Sequence, residues 1–224
     1  MHRNSIEHMR ALVLRYLDRD AKLLIGDVGS FDYTGSYRAL FQQPNWTYQG
    51  IDLNEGPNVD VVLTSPYKFP MADGHYDVLI SGQAFEHVKF FWLTWMEMVR
   101  TLKPGGFIFL IAPSRGPEHR YPVDCWRFYP DGYRALAEYG NVDCLEAHTD
   151  WGAYPFAKGR VWGDTVGAFA KPPYKLSADA KRWVEERAEE RKRSVVDRGT
   201  SEVTRTVESA MRSIWRAFAG RARG

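Results

Sequence analysis

Two of the six histidines stand where a proton could be exchanged with a bound molecule. His87 follows Glu86 and His119 lies in a long loop, and each comes just beyond an apolar run typical of a buried strand. An imidazole takes up a proton near neutral pH, so either histidine could act as a general base toward a hydroxyl group. For His87 the alternative is a structural role, in which the ring holds the turn where a helix begins.

The loop that contains His119 combines aromatic, acidic and basic side chains. It covers residues 117–132, PEHRYPVDCWRFYPDG. Long irregular loops inside compact domains often bind ligands. We expect Tyr121, Asp124 and Arg127 to contact the molecule that is acted upon, because aromatic faces beside Asp, Arg and His suit a polyhydroxylated ring. The alternative is that the aromatic residues pack the loop onto the core while Asp124 and Arg127 form an ion pair.

A glycine turn and an acidic residue predict a second binding region, for a nucleoside-like ligand. Residues 27–35, DVGSFDYTG, follow the apolar run Leu23–Ile25. At such a strand end a glycine lets the backbone approach a ligand, and the start of a following helix would offer free N–H groups. Asp52 ends the next apolar run, 25 residues after Asp27, and could accept both hydroxyls of a ribose. Taken alone, these two features would also fit NAD.

The pattern around these residues predicts the elements that must position them. Apolar residues at helical spacing predict an amphipathic helix over residues 5–18, and a second helix is predicted over Phe90–Leu102. Short apolar runs typical of buried strands lie at residues 23–25, 47–52, 59–63, 77–81, 107–112, 142–147 and 165–171. This alternation predicts a Rossmann-like α/β fold, a doubly wound, seven-stranded, mainly parallel sheet with helices on both faces. No helix separates the last two runs, which predicts an antiparallel hairpin and an antiparallel strand at the sheet edge.

The composition changes after Pro172 and Pro173. We therefore predict a ligand-binding domain over residues 1–173 and a charged helical extension over residues 174–224. Residues 178–198 are dense in Lys, Arg and Glu, and an apolar stripe at helical spacing follows them. One interpretation is a solvated helix followed by a helix that docks on the domain or on a second copy, giving a homodimer. The other is a basic amphipathic helix in peripheral contact with a membrane surface.

The bulk composition narrows the class of protein. The chain has 224 residues, 44% hydrophobic and 26% charged, which is typical of one globular domain of enzyme size. A net charge of +2 gives no reason to expect nucleic acid as a partner.

No apolar run is long enough to span a bilayer, and the N-terminal residues do not resemble a secretory signal. Cys125 and Cys144 lack the spacing of a zinc site and are too few for a disulfide framework, which favours the cytoplasm. No acidic or histidine spacing is diagnostic of a metal, so we expect none.

Three ordered motifs within residues 22–113 resemble the class I S-adenosylmethionine-dependent methyltransferases. The resemblance is to the small-molecule group with a Glu-His pair after the fourth strand. The motifs are FPMADGHYDVLIS over residues 69–81, QAFEHV over residues 83–88 and RTLKPGG over residues 100–106. The last motif joins helix, turn and strand in the family's order. Enzymes that use NAD are not expected to carry the second and third motifs, so the resemblance favours S-adenosylmethionine as the cofactor.

The resemblance implies a role for each strand end. Gly29 and its neighbours would contact the amino-acid part of the donor, Asp52 the ribose, residues 64–65 the adenine and residues 81–83 the methionine part. The implied donor-binding residues are Asp27, Gly29, Ser30, Asp52, Leu53, Thr64, Ser65, Ser81, Gly82 and Gln83.

Two positions depart from the family's pattern. Phe31 stands where a second glycine is usual, so the loop must bend by another route, for which Gly35 is available. Ser65 stands near the position of an acidic residue that often meets the adenine amine. These departures keep open a non-catalytic module that binds the donor or another protein.

The function implied is methyl transfer from S-adenosylmethionine to a small-molecule acceptor. The loop over residues 117–132 resembles loops in methyltransferases of glycan and natural-product pathways. It therefore favours O-methylation of a sugar or glycosylated metabolite, with His119 or His87 as the base. The alternative is N- or C-methylation of another metabolite. No Asn-Pro-Pro-Tyr-like signature of nucleic-acid methyltransferases follows the fourth strand, where SGQA stands.

Overall fold

The computed structural model describes residues 3–150 and 162–193. The chain divides into two compact units, residues 1–177 and residues 178–224. In the second unit, residues 178–193 form a helix with mostly exposed side chains. The apolar stripe predicted beyond it lies outside the described residues. The boundary predicted after residue 173 stays a prediction.

The first unit is built on a seven-stranded sheet. The strands are β1 (Leu23–Val28), β2 (Trp46–Asp52), β3 (Val61–Val62), β4 (Tyr76–Gly82), β5 (Leu102–Arg115), β6 (Asp143–Thr149) and β7 (Gly163–Ala170). Their order is β3-β2-β1-β4-β5-β7-β6. Strands β1 to β5 pair in parallel, whereas β7 pairs antiparallel with both β5 and β6. The predicted sheet and its edge hairpin are confirmed, with β7 inserted one place inside the edge.

Helices cover both faces of this sheet. The helices are α1 (Arg3–Tyr16), α2 (Phe91–Thr101) and α3 (Pro130–Gly140). Tyr16 of α1 packs its ring against Phe109, while Trp95 of α2 and Tyr133 of α3 pack against Phe169. Because Phe169 pairs with Ile108 in the β5–β7 register, it points to the face opposite Phe109. The predicted two-sided covering is confirmed.

The connection after β1 differs from the prediction. No α-helix follows the glycine turn in the described residues, and residues 29–45 contain only a short 3₁₀ turn over Arg38–Phe41. Gly35 and Pro44 leave a segment too short and too interrupted for several helical turns. The predicted helix N-terminus facing the ligand is therefore wrong. The 3₁₀ turn instead follows Tyr37, whose buried side chain lies against the end of β4.

Candidate active site

A single cavity opens at the carboxyl ends of β1, β2 and β4. Its volume is about 340 Å³. Eight of the ten predicted donor-binding residues line it: Asp27, Gly29, Ser30, Asp52, Leu53, Ser81, Gly82 and Gln83. In a doubly wound parallel sheet, a crevice forms at the carboxyl ends of the strands, at the point where the strand order reverses. This is why residues far apart in sequence meet here.

The end of β1 brings a buried carboxyl group and a bare backbone to the cavity. Asp27 is buried and accepts a hydrogen bond from the hydroxyl of Tyr48. Burial raises the pKa of Asp27 to about 7. Gly29 has φ +82°, and a Cβ there would lie 2.3 Å from the Cβ of Ala84. Only glycine fits against Ala84, so the chain lines the cavity at this point without a side chain.

The end of β2 presents the carboxylate of Asp52. Its Oδ2 accepts the backbone N–H of Phe31 at 3.0 Å, and its Oδ1 accepts the backbone N–H of Leu53 at 2.7 Å. Oδ1 also accepts the backbone N–H of Asn54 at 3.2 Å. The side chain is thus fixed on the cavity wall, and Oδ2 keeps a lone pair that can accept a further hydrogen bond.

The loop after β1 bends without the second glycine that is usual in the family. Oδ1 of Asp32 accepts the backbone N–H of Gly35 at 2.6 Å, and Gly35 has φ +137°. The ring of Phe31 packs on Tyr33 with 4.5 Å between ring centroids, and a Cβ at Gly56 would lie 2.3 Å from it. The large side chain at position 31 is accommodated because Gly56 leaves room for it.

The end of β4 is tied to its neighbours by side-chain hydrogen bonds. The hydroxyl of Ser81 donates to the carbonyl oxygen of Val28 at 2.7 Å. A Cβ at Gly82 would lie 2.1 Å from the hydroxyl oxygen of Tyr37. Gln83 has φ +60°, and its side-chain amide donates to Oδ1 of Asp164 at 3.0 Å. Together these contacts fix the backbone where the methionine part of the donor was predicted to lie.

The two remaining donor-binding residues lie elsewhere. Thr64 and Ser65 do not line the cavity: Thr64 is exposed, and the hydroxyl of Ser65 accepts the backbone N–H of Tyr67 at 3.2 Å. Leu63 and Pro66, on either side of them, line the cavity instead. The chain leaves strand geometry after Val62, and both polar side chains lie outside the cavity, so an adenine here would meet apolar groups.

Beyond the donor region, the cavity wall carries both predicted histidines. His87, His119 and Tyr121 line this part of the cavity. The imidazoles of His87 and His119 meet edge-on with 4.8 Å between centroids. The ring centroid of Tyr121 lies 5.7 Å from that of His87 and 5.2 Å from that of Tyr33. The structure thus brings the histidines from two separate strand ends onto one wall.

A third ionisable group, which we did not predict as functional, lies behind the histidines. Glu86 is fully buried, and its Oε1 is 3.7 Å from Nε2 of His87 and 3.9 Å from Nε2 of His119. Burial raises the pKa of Glu86 to about 8, and burial lowers the pKa of His87. The Glu-His pair in the sequence is the signal that could have indicated it, but adjacency alone does not show that both side chains turn inward.

Asp124 and Arg127 support the loop and do not line the cavity. Nη1 of Arg127 lies 2.5 Å from Oδ1 of Asp124, and its Nη2 lies 2.8 Å from Oδ2. This paired guanidinium holds the pKa of Asp124 well below its usual range. Oδ2 of Asp124 also accepts the backbone N–H of His119 at 2.7 Å. Asp124 and Arg127 are therefore not placed to contact an acceptor in the cavity. They form the ion pair that was the alternative interpretation of this loop.

Comparison with known proteins agrees with this site. Residues 26–110 match the family described as "Methyltransferase domain". An uncharacterized methyltransferase of Mycobacterium sp. (strain KMS) is 29% identical over 152 residues, which cover 60% of this chain and 58% of the relative. The chain therefore spans less than two thirds of the length of that relative.

Solved structures share the fold at low sequence identity. Burkholderia thailandensis 1,6-didemethyltoxoflavin-N1-methyltransferase, bound to 1,6-didemethyltoxoflavin and S-adenosylhomocysteine, gives a TM-score of 0.55 at 14% identity, covering 75% of this chain and 77% of that one. A protein described as a methyltransferase, in complex with the Haloferax volcanii Trm112 methyltransferase activator, gives 0.57 at 16% identity, covering 75% and 91%.

The strand order is that of the solved methyltransferases, and the match to the methyltransferase domain family over residues 26–110 confirms the predicted resemblance to class I S-adenosylmethionine-dependent methyltransferases over that part of the chain. S-adenosylmethionine is accordingly the cofactor of this class of site. The residues present fit it: Asp52 is placed for ribose hydroxyls, Gly29 leaves the backbone bare, and apolar side chains stand where an adenine would lie. Among the described residues, none of the helices is long and apolar enough to cross a membrane.

Proposed function

We propose that this protein transfers a methyl group from S-adenosylmethionine to a small-molecule acceptor, and that the acceptor is a hydroxyl group of a sugar or glycosylated metabolite. One observation carries the proposal. A single cavity joins the carboxylate of Asp52 to the wall formed by His87, His119 and Tyr121. Donor and acceptor could therefore lie in one enclosed space.

The donor supplies an electrophilic methyl carbon on a positively charged sulfur, and the protein supplies position and proton management. Asp52 and the bare backbone at Gly29 hold the donor, which converts an encounter of two molecules into a reaction within one complex. A hydroxyl attacks well only as its proton leaves, and an imidazole at His119 or His87 is suited to accept that proton. Nδ1 of His87 donates to the carbonyl oxygen of Val123 at 2.6 Å, so its Nε2 is the nitrogen with a free lone pair.

The preference for a polyhydroxylated acceptor is supported by the side chains at this end of the cavity. Tyr121 is 55% exposed and offers both an aromatic face and a hydroxyl group, beside the two imidazoles and Tyr33. Aromatic faces with hydrogen-bonding groups at their edges can recognise both the apolar and the polar surface of a sugar ring. We further propose that the protein acts in the cytoplasm, since its two cysteines are too few for a disulfide framework.

The experiment is release of S-adenosylhomocysteine from S-adenosylmethionine with a panel of acceptors. The panel contains glycosides with free hydroxyls, the same glycosides with those hydroxyls blocked, and amines of similar size. Turnover only with free hydroxyls supports the proposal. Turnover with the amines instead would support N-methylation. Tight donor binding without turnover on any acceptor would favour the non-catalytic module.

A further inference from the structure

We propose that Glu86, His87 and His119 form a binding site for one divalent transition-metal ion of the zinc type, at the acceptor end of the cavity. The spacing of these residues in the sequence is not diagnostic of a metal, because residues 86 and 87 are adjacent and residue 119 comes from another strand end. The fold brings one ligand atom from each within 4.8 Å of the others.

The distances are close to those of a metal centre. Oε1 of Glu86 lies 3.7 Å from Nε2 of His87 and 3.9 Å from Nε2 of His119. Ligands bonded to a tetrahedral Zn²⁺ at about 2.0–2.1 Å stand about 3.3 Å from one another. Small side-chain rotations would close the difference. One carboxylate and two imidazoles are a ligand set that both zinc enzymes and other divalent-metal enzymes use.

The carboxylate of Glu86 is the independent observation that points to a cation. The side chain is fully buried, and neither of its oxygens accepts a hydrogen bond from another described side chain or backbone group. A buried acceptor without a partner costs free energy, since the water it loses is not replaced. A metal ion between Glu86 and the two imidazoles would accept one lone pair from each of the three side chains, and would thereby give the buried carboxylate a partner.

The surrounding groups orient the imidazoles as ligands. Nδ1 of His87 is held by the carbonyl oxygen of Val123 at 2.6 Å, which directs Nε2 toward Glu86. Nδ1 of His119 lies 3.3 Å from Oδ2 of Asp124 but makes no hydrogen bond to it in this arrangement, and Arg127 fixes Asp124 from behind. Metal-binding histidines typically have their second nitrogen held by a carbonyl or carboxylate, as His87 does here, and a small rotation of the His119 ring would give it the same support from Asp124.

The site would leave coordination positions open toward the acceptor. His87 and His119 line the cavity, whereas Glu86 lies behind them. Three protein ligands with an open position are typical of catalytic zinc sites. With the ion bound, the two imidazoles would be ligands and not bases. An acceptor hydroxyl bound to the ion would release its proton to water, and its oxygen would form the C–O bond to the methyl group while the S–C bond breaks and the electron pair of that bond stays on sulfur. This chemical role rests on the proposed function, but binding of the ion does not.

The test uses the full chain after removal of metal with a chelator. Zn²⁺ alone is titrated by calorimetry, and Co²⁺ is titrated by visible absorption, which reports its ligands. We expect one ion per chain. Glu86→Gln and His119→Ala should each weaken binding about 100-fold, and Asp124→Asn about 10-fold. The control His75→Ala removes an exposed histidine outside the cluster and should leave affinity unchanged. If circular dichroism shows that either variant does not fold, His87→Ala is measured in its place.

Absence of stoichiometric binding by the folded wild-type chain would overturn the proposal. So would wild-type affinity in both Glu86→Gln and His119→Ala, because the ion would then bind elsewhere. These readouts need neither donor nor acceptor, so they separate the two proposals. Metal binding without methyl transfer would leave the site standing and remove the proposed function. Methyl transfer by a chain that binds no ion would leave the proposed function standing and remove the site.

Discussion

Oδ2 of Asp52 accepts the backbone N–H of Phe31 at 3.0 Å, so the acidic residue at the end of β2 is tied to the loop that follows β1. This hydrogen bond therefore holds together the two segments that would enclose the donor. We assign the carboxylate of Asp52 to the ribose hydroxyls, because Asp52 ends the strand next to β1 and lines the cavity.

Replacement of Asp52 should weaken donor binding. We expect Asp52→Ala to raise the Kd for S-adenosylmethionine at least about tenfold, since two ribose hydroxyls lose a charged acceptor. Calorimetry on the folded variant measures this, with Glu138→Gln, an exposed position on α3, as the control. An unchanged Kd would refute the assignment of this strand end to the ribose.

Gly82→Ala should destabilise the protein, because the new methyl group would overlap the ring of buried Tyr37. We expect the free energy of unfolding to fall by about 1–3 kcal/mol. Urea denaturation measures the change. Gly132→Ala is the matched control, since a Cβ at that helical position meets no atom within 4 Å, and its stability should be equal or higher. Equal stability of the two variants would show that Tyr37 moves aside at no cost.

The stability of the ligand-free protein should fall as pH rises toward 7. The folded pKa of Asp27 is raised to about 7 from 3.8, so between these values the folded state keeps a proton that the unfolded state has lost. Stability from this group is thus present at low pH and decreases as pH rises through that window. Asp27→Asn can still accept a hydrogen bond from Tyr48 but cannot ionise. We expect it to unfold with a flatter pH dependence than wild type in urea titrations at pH 5, 6 and 7. Parallel curves for the two proteins would contradict the buried protonated carboxyl group.

His119→Ala and His87→Ala should lower the rate of methyl transfer to a hydroxyl acceptor by about 10²–10⁴-fold, with donor affinity nearly unchanged. Single-turnover kinetics with a true acceptor measures this, and His75→Ala is the control. The loss should not be recovered at higher pH if a base has been removed. An increase in acceptor KM alone would mean that the histidines only bind the acceptor, and unchanged rates would exclude both from the chemistry.

Removal of residues 178–224 should leave donor binding intact. The described cavity residues all lie before this segment, in the first of the two compact units. We expect the truncated chain to bind S-adenosylmethionine with wild-type affinity while its oligomeric state or its retention on anionic vesicles changes. Calorimetry, sedimentation and vesicle flotation measure these properties. Loss of donor binding by a folded truncated chain would show that the extension completes the site.

The sequence by itself determined the strands, helices α1 and α2 and the donor class, whereas α3 begins inside the stretch that was predicted as a loop. Apolar runs such as the one that ends at Asp52 mark buried strands, and the motif over residues 100–106 marks a helix, turn and strand in fixed order; both are local patterns that burial and backbone geometry impose. The placement of Asp52 and Gly29 on the cavity wall was predictable for the same reason, since each occupies a position defined by its own strand end.

Only the tertiary structure decided the contacts between strand ends. It turned Thr64 and Ser65 away from the cavity and replaced the expected helix after β1 with a loop that brings Tyr37 against Gly82. It also brought His119 within reach of Glu86, 33 positions earlier in the chain. Such contacts depend on the side-chain direction and register of segments distant in sequence, and spacing along the chain does not determine these.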